Sequence, residues 1–279
     1  MKKILMAGIA GFIGIPLYTA CEDSNPLPDR GYDLVWSDEF DGTTGDLPSA
    51  ANWSFEIGTG TNGWGNRELQ YYTDRPENVS LDGKGNLVIT AIEESFEGSP
   101  YTSARIITRD KQEFQYGRIE ARLKTPFSQG LWPAFWMLGS DLEPGDAVTD
   151  TVPWPRAGEM DIMELRGQEP GKIAGSIHGP GYAAGNAVTE SFELTDGRFD
   201  TDFHIFAIEW GADFIDFFVD NRLYSRLNPE SIPEGSEWVF DKKYFIILNV
   251  AVGGAYVGSP NSNSRFPQTM IVDYVRVYQ

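Results

Sequence analysis

From Gly117 to Lys124 the chain reads GRIEARLK, so that Arg118, Glu120 and Arg122 alternate with Ile119, Ala121 and Leu123. A period of two sends one set to each face of an extended strand, and a helix cannot keep it. The same period, or a short β-rich run, returns at Leu87 to Ile92, Phe203 to Trp210, Phe214 to Val219, Tyr244 to Val252 and Ile271 to Tyr278. Thirty Gly and 17 Pro break these runs at short intervals, and no capped helical stretch of three turns intervenes. There is neither an internal repeat nor a low-complexity block. The pattern predicts one all-β domain, a β-sandwich.

That domain does not occupy the whole chain. Lys2 and Lys3 open a short basic start, the apolar run Ile4 to Ala20 follows, and small residues Thr19 and Ala20 precede Cys21. The run is short and carries Pro16, which favours a cleaved export signal over a membrane span. Residues 1–20 are therefore expected to be a lipoprotein signal peptide, with Cys21 as the lipidated amino terminus; an ordinary signal peptide with an incidental cysteine is the alternative. Residues 21–31 read as a polar, proline-bearing tether and 32–279 as the folded domain. Cys21 is the only cysteine, so no intramolecular disulfide supports the fold. The expected address is the outer membrane or cell surface, to which Glu22 and Asp23 point, with the periplasm or secretion as alternatives. Contact with the membrane is expected only through the lipid on Cys21. The net charge of −19 argues against nucleic acid, whose phosphates require Lys and Arg. A monomer is expected.

Aromatic residues make up 13% of the chain, eight of them Trp, which suits flat, neutral sugar faces as well as a core. The longest irregular stretch, Gly139 to Ala157, leads into GEMDIMELRG, residues Gly158 to Gly167. In a regular strand Glu159 and Asp161 would share one face and Glu164 would point to the other. A β-bulge around Ile162 and Met163 brings Glu164 back beside them. Three carboxylates on one face repel one another unless their pKa values are driven apart. Retaining glycoside hydrolysis uses such a pair, one carboxyl attacking and one donating a proton, with a third holding the nucleophile. A solvated acidic strand or a cation site is the competing reading.

The segment GEMDIME resembles the catalytic signature of glycoside hydrolase family sixteen, in the longer form that marks its laminarinase-like members. Trp36 to Phe40 (WSDEF), Gly63 to Thr73 (GWGNRELQYYT), Gly130 to Gly139 (GLWPAFWMLG), His178 to Asn186, Phe203 to Trp210 and Leu248 to Gly254 are similar to family segments as well. The resemblance covers nearly all of the chain from Val35 onward. It implies a jelly-roll sandwich with a concave substrate cleft, so that 32–279 would be a glycoside hydrolase catalytic domain. The implied activity is endo-acting, retaining cleavage of β-1,3-linked glucan with no cofactor for catalysis. Carried over position by position, Glu159 is the nucleophile, Asp161 the supporting acid and Glu164 the acid/base. Asn66, Arg67, Trp132, Trp136, Trp154 and His178 would meet the substrate, Trp136 and Trp154 as a sugar platform, with Glu68 supporting Asn66 and Arg67. His204 is expected to be structural. A structural Ca²⁺ would be held by Glu39, the carbonyl of Gly83 and Asp273. Arg67 stands where the family more usually has Asn, and the loop before the acids is longer than usual.

Two alternatives share this chemistry, a mixed-linkage β-1,3-1,4-glucanase and a marine galactan hydrolase. A sulfated galactan would require Arg and Lys around the cleft. The 22 basic residues against 41 acidic ones, few of them near the acids beyond Arg156 and Arg166, favour a neutral glucan. A non-catalytic β-glucan-binding protein is the alternative from another class, and the retention of both glutamates speaks against it.

Overall fold

The computed structural model describes residues 30–142 and 152–279. The signal segment, Cys21, all but the last two residues of the tether, and most of the loop before the acids lie outside the described residues. Two sheets face each other across one core. The first has eight strands in the order Val188–Glu193, Lys172–His178, Glu159–Leu165, Leu131–Gly139, Tyr244–Val252, Arg105–Ile107 and Ser54–Phe55, with Glu113–Phe114 also paired to Tyr244–Val252. It is called the cleft sheet below. The outer sheet has ten strands, its centre formed by His204–Gly211, Gly117–Lys124, Gln268–Tyr278 and Leu87–Phe96. Among the described strands, pairing is antiparallel except between Gln70–Tyr72 and Ser99–Ser103, which run parallel, and a single parallel bridge joins Leu142 to Val152.

The alternation in GRIEARLK has the predicted result. Ile119, Ala121 and Leu123 lie in the core beside Phe206 and Ile208 from the neighbouring strand, while Arg118 and Arg122 stay partly exposed on the far face. The last strand departs from simple alternation. Its partner positions jump from Val272 opposite Leu123 to Tyr274 opposite Arg122, leaving Asp273 as an extra residue. Core positions therefore run Met270, Val272, then Val275 and Val277. Tyr244–Val252 is buried along its whole length because it lies near the middle of the cleft sheet. Its inward side chains join the main core, whereas Phe245 and Ile247 form a smaller apolar strip on the cleft face with Ile107, Leu138 and Trp136.

The acid strand is built in the same way, with one interruption. Met160, Ile162, Met163 and Leu165 all belong to the main core. Two consecutive residues, Ile162 and Met163, can point inward only if the strand is bulged. Asp161 faces Ser176 and Glu164 faces Ala174, so three steps on the acid strand match two on its neighbour. The register with Leu131–Gly139 slips at the same place.

Candidate active site

The bulge puts Glu159, Asp161 and Glu164 on the face of the cleft sheet that points away from the core. Neighbouring strands decide what each one meets. Glu159 lies opposite His178 on one side and Leu138 on the other. Asp161 lies between Ser176 and Trp136. Glu164 lies between Ala174 and Ala134, whose small side chains leave room beside it.

The carboxylates have few charged partners. His178 Nε2 is 2.9 Å from Asp161 Oδ2 and 3.5 Å from Glu159 Oε1. Trp154 Nε1 donates to Glu159 Oε2 at 2.9 Å, and Trp132 Nε1 donates to Glu164 Oε1 at 2.8 Å. Burial, then the negative charge of Asp161, raises the Glu159 carboxyl to about 7. The same two causes raise the Glu164 carboxyl well above the usual carboxylate range. Both glutamates are thus held above that range, each against a different indole donor.

Opposing influences act on His178. Burial disfavours a charged ring, but the carboxylates of Asp161, Glu159 and Glu164 outweigh it and raise the ring to about 9. Against this, the Ala184 backbone N–H donates to His178 Nδ1 at 3.1 Å, which requires a lone pair on that nitrogen. Asp161, the nearest of the three, is the main source of that rise and stays beside Nε2 whichever glutamate is protonated. The hydrogen bonds describe a neutral ring whose proton sits on Nε2 and points at Asp161. That tautomer also bears on metal binding. Glu159, Asp161 and His178 bring potential ligand atoms within 4.8 Å of one another. With Nδ1 already accepting and Nε2 protonated, however, the ring offers no lone pair to a cation, so the trio is poorly suited to hold one.

The other expected substrate contacts are distributed unevenly. Trp136 donates to Asn249 Oδ1 at 2.7 Å, and the Arg105 guanidinium covers its ring at 4.8 Å. Trp154 is 42% exposed, with its ring 6.0 Å from that of His178. Asn66 and Arg67 are exposed on a kinked turn, Gly63–Arg67, in which Trp64 and Arg67 take positive φ. Glu68 fastens this turn. It accepts from Asn66 at 3.4 Å, Gln70 at 2.6 Å and Tyr72 at 3.2 Å, and Tyr72 accepts in turn from Asn249 at 3.0 Å. A chain of buried polar groups therefore links the turn to Trp136. His204 is remote from this site and bonds Asp220 at 2.6 Å beside the outer sheet.

Arg105, Asn249, Tyr72 and Tyr256 were not singled out from sequence. Arg105 pairs with Glu56 and lies between the rings of Trp64 and Trp136, lowering the carboxyl of Glu159 from a distance. Its sequence signal was a lone charge in the run TSARII. Tyr256 packs on Trp132 at 5.1 Å and carries the Arg166 guanidinium over its ring at 4.3 Å.

Of the proposed calcium ligands, the Glu39 carboxylate is taken by Arg276 at 2.9 and 2.8 Å, and Asp273 is paired with Arg122. The three stretches nonetheless converge. Asp38 pairs with Val275, Leu87 pairs with Val272, and a Cβ placed on Gly85 would stand 3.8 Å from the Glu39 carbonyl oxygen.

The model of the glycosyl hydrolases family 16 matches residues 64–275. A beta-glucanase of Rhodothermus marinus is 43% identical over 256 residues, covering 89% of this chain and 85% of that protein. Glucan endo-1,3-beta-glucosidase A1 of Niallia circulans is 37% identical over 89% of this chain, which spans 38% of that longer protein. The crystal structure of the laminarinase catalytic domain of Thermotoga maritima superposes with a TM-score of 0.81 at 46% identity, covering 89% of this chain and 98% of that one.

Proposed function

Because the chain belongs to glycosyl hydrolase family 16, we propose that it is an endo-acting, retaining β-1,3-glucanase. The observation that carries this reading is the pair of glutamates on one bulged strand, each held by its own indole N–H and raised above the usual carboxylate range. Glu159 attacks the anomeric carbon. Glu164, whose carboxyl is held well above the usual range, gives its proton to the departing glycosidic oxygen. The ester of Glu159 is then hydrolysed by a water whose proton returns to Glu164, which restores both groups. Asp161 takes no part in bond making, and through its contact with His178 Nε2 it fixes the ring beside the nucleophile.

The nearby cations support a neutral substrate. Arg105 is engaged by Glu56 and two indole rings, Arg156 by Glu237 at 3.0 Å, and Arg166 lies over Tyr256. None of these three is presented to a sulfate, whereas Arg67 is exposed on its turn. The glucan endo-1,3-beta-glucosidase of Niallia circulans and the laminarinase structure favour β-1,3-linked glucan over a mixed-linkage chain. Product analysis of residues 22–279 on laminarin, lichenan, agarose and carrageenan tests this. Short β-1,3 oligosaccharides released first as the β-anomer, seen by proton NMR, are expected from laminarin. Inertness on laminarin with cleavage of another chain would move the specificity elsewhere.

The reading extends to the parts around the domain. A lipid on Cys21 would hold the protein at the outer membrane or cell surface as a monomer, supported by the small residues before that cysteine and the acidic pair after it. Globomycin should cause precursor to accumulate, and its failure to do so would count against lipidation. A structural Ca²⁺ bound by the carbonyls of Glu39 and Gly83 and by Asp273 would clamp the first and last strands of the outer sheet. Chelation is then expected to lower the melting temperature by a few degrees, restored by added Ca²⁺.

A further inference from the structure

We propose that Trp154 is a positioning residue for the nucleophile, its indole N–H holding one oxygen of Glu159 and favouring the carboxylate form. The inference rests on the reading of Glu159 as nucleophile, and it gives Trp154 a task besides the sugar stacking expected from sequence. Trp154 is only five residues before Glu159, so the chain has to double back for Nε1 to reach Oε2 at 2.9 Å. Backbone bonds fix that reversal. Ala157 N–H donates to the Pro153 carbonyl at 3.2 Å, Gly158 N–H to that of Pro155 at 3.0 Å, and Gly139 N–H to that of Gly158 at 3.1 Å. Gly158 has a φ of +80°, and a Cβ there would stand 2.0 Å from the Tyr244 hydroxyl. Only glycine closes this turn. The indole is therefore delivered to Glu159 by a braced loop end and not by chance packing of a mobile side chain.

The surroundings of Glu159 leave this bond an important place. Asp161 on its own strand carries negative charge, and Glu164 is the proton-bearing acid. Tyr244, from the adjoining part of the sheet, is neutral. His178 approaches the other oxygen at 3.5 Å, and Arg105 acts from a distance. Among these, Trp154 is the one neutral donor bonded directly to the nucleophile among the described residues. A hydrogen bond to the charged form of an acid lowers its pKa. It also fixes the plane of the carboxylate, which must present one oxygen to the anomeric carbon.

Trp154→Phe separates the two tasks, since it keeps an aromatic face and removes the N–H. On laminarin, Trp154→Phe is expected to keep KM within about twofold and lower kcat by roughly tenfold. The acidic limb of its kcat/KM profile should move up by about one pH unit, the size expected for one hydrogen bond to a charged group. Trp154→Ala should show the same displaced limb together with a raised KM. A Trp154→Phe enzyme with the wild-type acidic limb would overturn the proposal and leave Trp154 as a platform only. Carbon-13 NMR titration of the Glu159 carboxyl in wild type and Trp154→Phe reads the same displacement with no substrate. Should wild type be inert on laminarin, the substrate reading fails while this titration still decides the role of Trp154.

Discussion

Both sheets bury carboxylates, and they treat them differently. On the outer sheet Glu120, Glu209 and Asp216 are almost fully buried, and each is matched by arginine. Arg118 pairs with Glu120 at 2.8 Å, Arg30 reaches Glu209 at 2.8 Å and Asp216 at 3.2 Å, and Arg226 grips both oxygens of Asp216 at 2.6 Å. In the cleft Glu159, Asp161 and Glu164 share one histidine and two indole N–H groups. A paired acid is inert because its charge is already compensated. An uncompensated acid has its proton affinity raised, and that shift equips it to attack or to donate a proton. Negative charge alone therefore does not mark the active face of this molecule; the shortage of arginine does.

Substitution within the cleft should have the largest effect. Glu159→Gln is expected to abolish turnover, on the order of 10⁴-fold or more in kcat, while glucan binding by affinity electrophoresis persists. Glu164→Gln should cost roughly 10²–10⁴-fold on laminarin. It should cost far less on an aryl glycoside whose leaving group needs no proton, and this difference assigns the two roles. If Glu159→Gln were as active as wild type, the nucleophile would have been misassigned.

The outer-sheet counterpart should behave in the opposite way. Asp216→Asn leaves the half-exposed Arg226 without its charged acceptor and Arg30 with Glu209 alone, so a loss of about 1 kcal/mol in unfolding free energy is expected. Activity per folded molecule should not change. Urea unfolding alongside kcat/KM checks both halves. A variant that lost activity while keeping its stability would show that the two faces are coupled.

The chain reported its outer sheet and the acid strand clearly because each rests on local pattern. GRIEARLK alternates because one face is solvated, and GEMDIMEL departs from alternation at the two residues that form the bulge. The bulge at Asp273 is hidden in the sequence since IVDYVRVY also fits an uninterrupted strand; only the register against Leu123 and Arg122 shows the extra residue. Arg105, Asn249 and Tyr72 escaped for a different reason. Arg105 and Asn249 meet Trp136, and Tyr72 meets Asn249, from strands well over twenty residues away, and no spacing rule connects them. Trp132 and Trp154 were legible as cleft residues, but the atom that matters in each is the N–H, and sequence does not say where an indole edge points.

The smallest expected effect is one of sign, and it bears on the same contrast through pH. The folded protein holds Glu159 near 7, above the ordinary carboxylate value, so the native state binds a proton more tightly than the unfolded chain does. Stability from this group is therefore full at acid pH and declines as pH rises from about 4.5 to about 7, with no further change above. Glu39 runs the other way. Its hydrogen bonds with Arg276 hold its carboxyl below the ordinary value, so its contribution is present at neutral pH and is lost as pH falls through the carboxylate range. Glu159→Gln should accordingly raise the melting temperature by a few degrees at pH 8 and by nothing at pH 4, whereas Glu39→Gln should lower it at pH 8 and make little difference at pH 3. Calorimetry across that range checks both signs. A Glu159→Gln variant that lost stability at pH 8 would mean that Trp154, His178 and Arg105 compensate the nucleophile as fully as arginine compensates the outer acids, and the contrast between the two faces would then lie in geometry and not in charge.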